Sequence, residues 1–272
     1  MLRAMRVPAL LLISTVLFWE ARTPAQTPDA AVVLAAARTA LGGEAKLTGV
    51  KTFVATGRTR QLRGNNLVPI EFEINCELPD KYVRKDEFPA QDTDVTVNGF
   101  RGDELIVSAG GRGGPPPAQR LATVKQDFAR LMLGAFAASY PSFPLTFKYE
   151  AEGEAPEGKA DVVDAAGPAN FAARLVIARA THLPVMVMWQ TPAPPARGGT
   201  PSAPPGAPAP PAASAAGAAE SRLYFADYRD VKGVKWPFRI RRAVGGNTIE
   251  ETTFDRVDVN VKIDPKKFEA PK

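Results

Sequence analysis

The stretch from Leu223 to Ile240 constrains the fold of this chain more than any other segment. Two aromatic-rich arms flank a polar patch, Asp230 to Lys235, with Gly233 at its centre, which is the pattern of a β-hairpin. On the second arm three apolar and three other residues alternate, namely Trp236, Phe238 and Ile240 against Pro237, Arg239 and Arg241. Because the same alternation recurs through much of the chain, the sequence predicts a large antiparallel sheet with one apolar face and one face toward water.

The N-terminus has the features of a secretory signal. Arg3 and Arg6 precede an apolar run, Val7 to Trp19, and small and polar residues follow it. The run is shorter than the roughly 20 residues that span a bilayer as a helix. We therefore expect residues 1–25 to be a signal peptide cleaved near Ala25 and residues 26–272 to be one exported domain. An uncleaved anchor is the alternative.

Charge and cysteine usage exclude some classes of function. The formal net charge is +5, from 34 basic and 29 acidic residues, but the basic residues are scattered rather than grouped with aromatic residues. Nucleic acid is therefore not an expected partner. Cys76 is the only cysteine, so no disulfide can form within the chain. Because it alternates with apolar residues, a buried structural thiol is favoured over a reactive one.

Two helices are predicted. The first runs from about Pro28 to Leu41, with Thr27 as N-cap and glycine at its end. The second runs from Ala118 to about Ala137, with an apolar stripe and a polar opposite face. The stripe consists of Leu121, Val124, Phe128, Leu131, Met132 and Ala135, and the polar face of Arg120, Lys125, Gln126 and Arg130. Such a helix packs in a core or acts as a movable cover, and the sequence leaves both open.

Val68 to Leu78 is the clearest strand. Ile70, Phe72, Ile74, Cys76 and Leu78 share one face, and Glu71, Glu73, Asn75 and Glu77 share the other. This spacing places the glutamates toward solvent, as a charged outer surface rather than an acid–base pair.

Other patterns predict turns and further strands. Asn98-Gly99 predicts a hairpin turn, and Thr248–Phe254 and Arg256–Lys262 read as separate strands. The strand Pro184–Gln190 is apolar on both faces, which makes it our candidate for a central strand lying under a helix. His182, the only histidine, is expected in a turn rather than in a metal site or a nucleophile pair.

Two segments have unusual composition. Gly110 to Pro117 is glycine- and proline-rich but lacks the Gly-Lys-Ser/Thr ending of a phosphate-binding loop. Residues 191–219 consist of proline, alanine, glycine and serine with almost no charged or aromatic residue. We expect this second segment to be a disordered insert in a hairpin of one continuous domain.

The order of parts resembles that of the bacterial outer-membrane lipoprotein-sorting carriers, the LolA-like group with its LolB-like relatives. The terminal segment Ile263–Pro271 is similar to the usual ending of that group, and Asp230–Pro237 to its penultimate hairpin. The resemblance implies a mainly β fold: a large antiparallel sheet curled into a half-closed barrel. It also implies that two or so helices cover the concave apolar face of the sheet and that this face accepts acyl chains in the periplasm. Three features depart from the carriers: Leu78 where they have arginine before the proline, the insert at 191–219, and the loop at Gly110–Pro117.

Together these observations favour a non-enzymatic periplasmic carrier or binding protein for a lipidic or acylated ligand, without a cofactor or metal. The expected partner is a lipid or the acyl chain of a lipoprotein, with a membrane-bound protein as a further partner and a monomer as the working state. Wall residues proposed for the ligand are Phe72, Ile74, Phe128, Met132, Trp189, Phe225, Trp236 and Phe238. Each of them also fits an ordinary core position. The alternative is an envelope-sensing or protein-interaction module of the same fold, which a fully packed interior would favour.

Overall fold

Twelve antiparallel strands and three α-helices make up the described structure. A computed structural model describes residues 29–89, 95–108, 115–191 and 219–270. The expected signal peptide (1–25), most of the loop at Gly110–Pro117 and most of the insert at 191–219 lie outside the described residues. No helix in the described ranges is long and apolar enough to cross a membrane.

All strands in the described residues belong to one sheet. The helices are α1 (Ala30–Ala40), α2 (Glu44–Gly49) and α3 (Pro117–Phe136), with a 3-10 helix at Pro265–Phe268. The first five strands are β1 (Thr52–Arg63), β2 (Asn66–Glu77), β3 (Lys81–Glu87), β4 (Val95–Arg101) and β5 (Glu104–Val107). The remaining strands are β6 (Thr146–Ala155), β7 (Gly158–Gly167), β8 (Phe171–Ala178), β9 (Pro184–Thr191), β10 (Ala219–Val231), β11 (Val234–Val244) and β12 (Asn247–Val259).

The chain path explains why one sheet results. Strands β1 to β5 form a meander that ends at one edge of the sheet, and α3 follows β5. The chain then re-enters at the opposite edge with β6, and a second meander returns until β12 pairs with β1. The spatial order is therefore β5-β4-β3-β2-β1-β12-β11-β10-β9-β8-β7-β6, and the sheet stays open between β5 and β6.

The main core lies between the concave face of this sheet and the three helices. Apolar residues from strands in both meanders and from α1, α2 and α3 form one cluster. The prediction of a mainly β half-barrel covered by helices is confirmed. β9 is an interior strand, as its two apolar faces require, with Val187 in the main core and Met186 on the outer face. The middle of the sheet, however, is the pair β12 and β11 rather than β9.

The outer face is less exposed than the alternation predicts. Phe268 of the 3-10 helix packs against Val83, Val97 and Ile106 on the outer face. Nearby on β2, Asn75 is buried, and Glu73 accepts hydrogen bonds from Asn75 and from Lys267. The prediction that this face of β2 is open to solvent is therefore wrong near the C-terminal segment. Pro237 on β11 is likewise buried.

Two predictions are wrong: the turn at Asn98-Gly99 and the division of residues 248–262 into two strands. Asn98 and Gly99 lie inside β4, and the turn comes at Gly102 and Asp103. Gly99 is needed for close packing instead, because an added Cβ would lie 2.3 Å from the carbonyl oxygen of Tyr82. Residues 248–262 do not form two strands, since β12 runs unbroken to Val259.

A β-bulge in β12 explains why the sequence pattern predicts two strands there. The register shifts between Thr56 and Gly57, which pair with Arg256 and Phe254, so Asp255 is the extra residue. An extra residue reverses the alternation of inward and outward side chains. A sequence pattern reads that reversal as a strand break.

The helix predictions need smaller corrections. The N-cap of α1 is Asp29, whose carboxylate accepts a hydrogen bond from the Ala31 N–H, and not Thr27. The short helix α2 was not predicted. The expected polar face of α3 is also partly wrong, because Lys125 and Arg130 are both buried.

Candidate functional site

The space beneath the C-terminal half of α3 is filled with side chains. Phe128 lies 5.3 Å from the ring centroids of both Tyr82 and Phe100. Farther along α3, Phe136 packs 5.8 Å from Trp236 in a T-shaped pair. Aromatic pairs at these separations are within the range of favourable contacts. In this arrangement α3 is packed directly onto the sheet.

Gly134 allows this close packing. An added Cβ at Gly134 would lie 2.2 Å from the ring of Phe225 on β10. The Tyr228 hydroxyl lies 2.7 Å from the Gly134 carbonyl oxygen and 2.8 Å from that of Pro184, and it can donate to one of them at a time. Burial raises the pKa of Tyr228 well above its ordinary value. The hydroxyl therefore remains protonated and holds α3 to the strands.

A cleft opens at the other half of α3. We call it the α3 cleft, and it lies between the Ala118–Arg130 side of α3 and one end of strands β6 to β9. Its volume is about 1490 Å³, larger than the roughly 300–1,000 Å³ of common small-molecule sites. Its apolar lining residues are Ala118, Ala122, Phe147, Ala165, Ala166, Ala169, Phe171, Ala172, Ala173, Met188 and Trp189.

Two arginines and one tryptophan form the inner end of the α3 cleft. The Arg130 guanidinium carbon lies 4.4 Å from the ring centroid of Trp189 and 5.3 Å from that of Phe171. The Arg242 guanidinium carbon lies 5.4 Å from the same Trp189 ring. Both cations therefore contact one aromatic ring, which stabilises them through cation–π attraction.

Arg130 is unusual because it is a charged residue on a buried face of α3. Its exposed fraction is 7%. Its Nη1 donates to Asp127 Oδ1 at 2.8 Å and its Nη2 to Gln126 Oε1 at 3.2 Å, but its Nε has no partner among the described residues. Burial, with a smaller contribution from the charge of Arg242, lowers the pKa of Arg130 although Asp127 opposes this effect. An arginine nevertheless stays charged in a protein.

Arg242 is also incompletely paired. Its Nε is buried and has no hydrogen-bond partner in the described part of the chain. Glu250 stands directly across from it on β12, yet its carboxylate instead accepts from Gln61 Nε2 at 3.3 Å. No ion pair within 4.0 Å joins Arg242 to any described carboxylate.

The eight wall residues that the sequence suggested divide unevenly. All eight are buried members of the main core, and Trp189 alone of them lines the α3 cleft. The other seven lie in the packed region under α3 and across the adjacent strands, so a ligand would reach them only if side chains or α3 moved. Their role in binding remains a proposal.

Sequence reasoning missed both arginines. One signal for Arg130 was available, because Phe128 to Ala138 contains no other charged residue and such a continuous apolar run predicts burial on all sides of the helix. Arg242 gave no comparable signal. It follows Arg239 and Arg241, two strand residues predicted to face water, and nothing in the sequence distinguishes it from them. His182 lies in the loop between β8 and β9, exposed and with a positive φ of 56°, as a turn residue.

Comparison with known proteins places the fold. No protein-family profile and no curated protein sequence matches the chain. Among solved structures, the LolA superfamily protein NE2245 of Nitrosomonas europaea is similar with a TM-score of 0.54 and 10% identity, over 89% of this chain and 97% of that one. A DUF1329 family protein of Desulfovibrio piger aligns with a TM-score of 0.47 and 7% identity, over 88% and 97% of the two chains.

A domain of Vibrio parahaemolyticus assigned to outer membrane lipoprotein sorting gives a TM-score of 0.48 and 10% identity, over 80% of this chain and 88% of that one. At such identities the likeness concerns the fold alone. The chain therefore has a LolA-like fold, as the sequence resemblance implied.

Proposed function

We propose that this protein is a non-enzymatic periplasmic carrier or binding protein for a lipidic or acylated ligand, and that the α3 cleft holds the acyl chain. The observation that carries the proposal is the open α3 cleft, with Phe171 and Trp189 of the main core at its inner end. Burial of a hydrocarbon chain contributes about 0.8 kcal/mol for each methylene group. An apolar cleft alone can therefore hold a lipid without a reactive group.

The charged lining supports binding rather than catalysis. Three carboxylates line the α3 cleft, and each has an arginine partner: Asp127 with Arg130, Asp164 with Arg174 and Glu220 with Arg222. A carboxylate that acts as acid or base must be free to exchange its proton with a substrate. These pairings favour a structural role for the three groups.

The site differs from the one that the resemblance implied. There the acyl chain lies against the centre of the concave face, whereas here that region is occupied by Phe128, Met132 and their neighbours. We propose that the chain lies instead between α3 and strands β6 to β9. The remaining wall residues would contact it only after α3 shifts.

The test is native mass spectrometry of the exported protein, purified from an envelope fraction without detergent, followed by solvent extraction of whatever co-purifies. We expect discrete adducts that extract as lipid or acylated peptide. Trp189→Glu, which puts a charge in the α3 cleft, should remove them, whereas Leu67→Glu at an exposed position of β2 should not. A clean apo mass together with no uptake of an added acylated peptide would refute the carrier.

A protein-interaction module is the second candidate, and the packed interior under α3 favours it. In the described part of the sheet, β5 and β6 each pair with one neighbour only, so each offers a free edge to an extended segment of a partner. This reading predicts a clean apo mass and capture of a membrane-bound protein from the envelope. Loss of capture on introducing proline into β6 would locate the contact.

A further inference from the structure

The inner end of the α3 cleft holds more positive charge than its neighbours neutralise. Of the two arginines that contact Trp189, Arg130 has one carboxylate partner, Asp127, whose side chain is 53% exposed. Arg242 has none among the described residues within ion-pair distance. Arg242 is half-buried beside the buried ring of Trp189. Its guanidinium charge, which has no carboxylate partner there, is therefore available to an anion in the α3 cleft.

Each of these two arginines also has an unpaired donor. Arg130 Nε and Arg242 Nε are two of the three buried side-chain polar atoms, among the described residues, that have no hydrogen-bond partner. Buried polar groups in folded proteins are almost always paired, so two such donors at one aromatic ring need an explanation. Both residues line the α3 cleft, so an occupant of the cleft contacts their side chains. It reaches the buried Nε atoms only when these side chains shift.

Arg84, elsewhere on the concave face, shows what a structural arginine looks like in this fold. It also stacks on an aromatic ring, 4.7 Å from the centroid of Phe72. Its Nε donates to Asp86 Oδ1 at 2.7 Å and its Nη2 to Thr59 Oγ1 at 3.1 Å, so its charge is paired inside the protein. The pair at Trp189 lacks this compensation.

We propose that Arg130 and Arg242 bind the anionic head group, a carboxylate or a phosphate, of an acyl ligand whose hydrocarbon chain lies along Phe171 and the alanines of the α3 cleft. This inference rests on the proposed function, because it assigns the head group of the ligand for the same site. Guanidinium groups bind carboxylate and phosphate with paired N–H donors. The apolar wall and the cationic end together match an amphipathic anion.

The test compares ligands that share one chain and differ in the head group. Laurate, dodecyl phosphate and dodecanol are titrated into the exported protein by isothermal calorimetry. We expect both anions to bind about ten- to hundred-fold more tightly than dodecanol, because a hydrogen bond to a charged group contributes roughly 1.5–3 kcal/mol. The relative affinity of laurate and dodecyl phosphate then identifies carboxylate or phosphate as the preferred head.

Variants assign the preference to residues. Arg242→Gln should reduce the preference for the anions over dodecanol to a few-fold. Arg239→Gln, an exposed arginine on the same strand, is the matched control and should not change this preference. Arg130→Met tests the second arginine with an apolar residue of similar length, and its circular dichroism spectrum shows whether it folds.

The outcomes separate this inference from the function on which it rests. Equal binding of the anions and dodecanol would overturn the anion site and leave the carrier standing. A preference that survives both Arg242→Gln and Arg130→Met would overturn the assignment to these residues. Absence of binding for all three ligands would refute the site and the proposed function together.

Discussion

Trp236 is the largest fully buried side chain of the core, and its indole nitrogen has no hydrogen-bond partner among the described residues. Its ring lies 4.9 Å from that of Phe53 and 5.9 Å from that of Phe254. A buried donor without an acceptor costs about 1–3 kcal/mol, whereas the packing of the ring is strongly stabilising. The two effects oppose each other within one residue.

Substitutions at Trp236 separate these effects. Trp236→Ala should lower the free energy of unfolding by about 3–5 kcal/mol, because it leaves a cavity. Trp236→Phe should lower it by no more than about 1.5 kcal/mol, since it keeps much of the packing and removes the unpaired donor. Urea unfolding measures both. A loss in Trp236→Phe as large as in Trp236→Ala would mean that the indole N–H makes a favourable contact.

Cys76 is a probe of unfolding, because it is the only cysteine and is fully buried in the main core. Burial raises the pKa of its thiol well above the ordinary value, and only the thiolate reacts with disulfide reagents. We expect Ellman's reagent at pH 8 to modify the folded protein at the rate of unfolding, and the urea-unfolded protein within seconds to minutes. Fast modification without denaturant would contradict the buried position.

At the scale of elements, α3 determines how the concave face is filled. Gly134 lies against the ring of Phe225, so Gly134→Ala should lower the free energy of unfolding by about 1–3 kcal/mol despite the better helix propensity of alanine. Gly49→Ala, at the end of α2 with open space around it, is the control and should change stability by less than about 0.5 kcal/mol. Thermal and urea unfolding measure both variants. If Gly134→Ala changes stability no more than Gly49→Ala does, α3 can shift to make room for the added methyl group at no energetic cost.

The C-terminal 3-10 helix is tied to β2 by an ion pair that depends on pH. Burial raises the pKa of Glu73, but hydrogen bonds from Lys267 and Asn75 outweigh burial and lower it below the ordinary 4.5. Folding therefore favours the ionised carboxylate, and its contribution is present at neutral pH and lost as the pH falls from the ordinary value through the folded one.

We expect Glu73→Gln to reduce stability at pH 7 by less than about 1 kcal/mol, because the pair is near the surface, and to flatten the acid limb of a plot of unfolding free energy against pH. Glu71→Gln, at an exposed position of the same strand, should leave that limb unchanged. If Glu73→Gln loses stability at acid pH as steeply as the unaltered protein does, the Glu73 carboxylate does not cause this pH dependence.

Sequence periodicity predicts an element well when its alternation is unbroken. The prediction Val68–Leu78 agrees with β2 to within two residues at each end, because apolar and polar residues alternate regularly there. The bulge at Asp255 reverses the alternation within β12, so the sequence pattern predicts a break there that the structure does not have. The pair Asn98-Gly99 predicts a turn, whereas Gly99 lies in β4, where the absence of a side chain allows close contact with β3.

The candidate site shows a different limit of the sequence. Trp189 could be predicted as a wall residue because its strand is apolar on both faces. Arg130 and Arg242 could not be brought together, since they come from α3 and β11 and meet only because α3 lies across the sheet beside β9. A contact that depends on a crossover between distant elements leaves no local pattern in the sequence.

At the scale of the whole molecule, one sheet is built from two meanders. Residues 192–218, which lie outside the described residues, connect two strands that pair with each other, β9 and β10. Thr191 at the end of β9 and Ala219 at the start of β10 stand opposite each other in the ladder. The chain therefore leaves the sheet at Thr191 and returns to it at the neighbouring Ala219. The proline- and alanine-rich composition of residues 192–218 has too little apolar and aromatic surface to form a core. The half-barrel should not depend on them.

Replacing residues 192–218 by an Asn-Gly turn tests this independence. The shorter connection lowers the entropy cost of closing the loop, by about 0.6 kcal/mol for each halving of its length, so unfolding free energy should rise by about 2 kcal/mol. A glycine- and serine-rich replacement of equal length is the control and should leave stability unchanged. Urea unfolding gives both values. If both variants lose stability, residues 192–218 pack against the sheet. If they keep their stability but no longer bind the acyl ligand, these residues contribute to the α3 cleft.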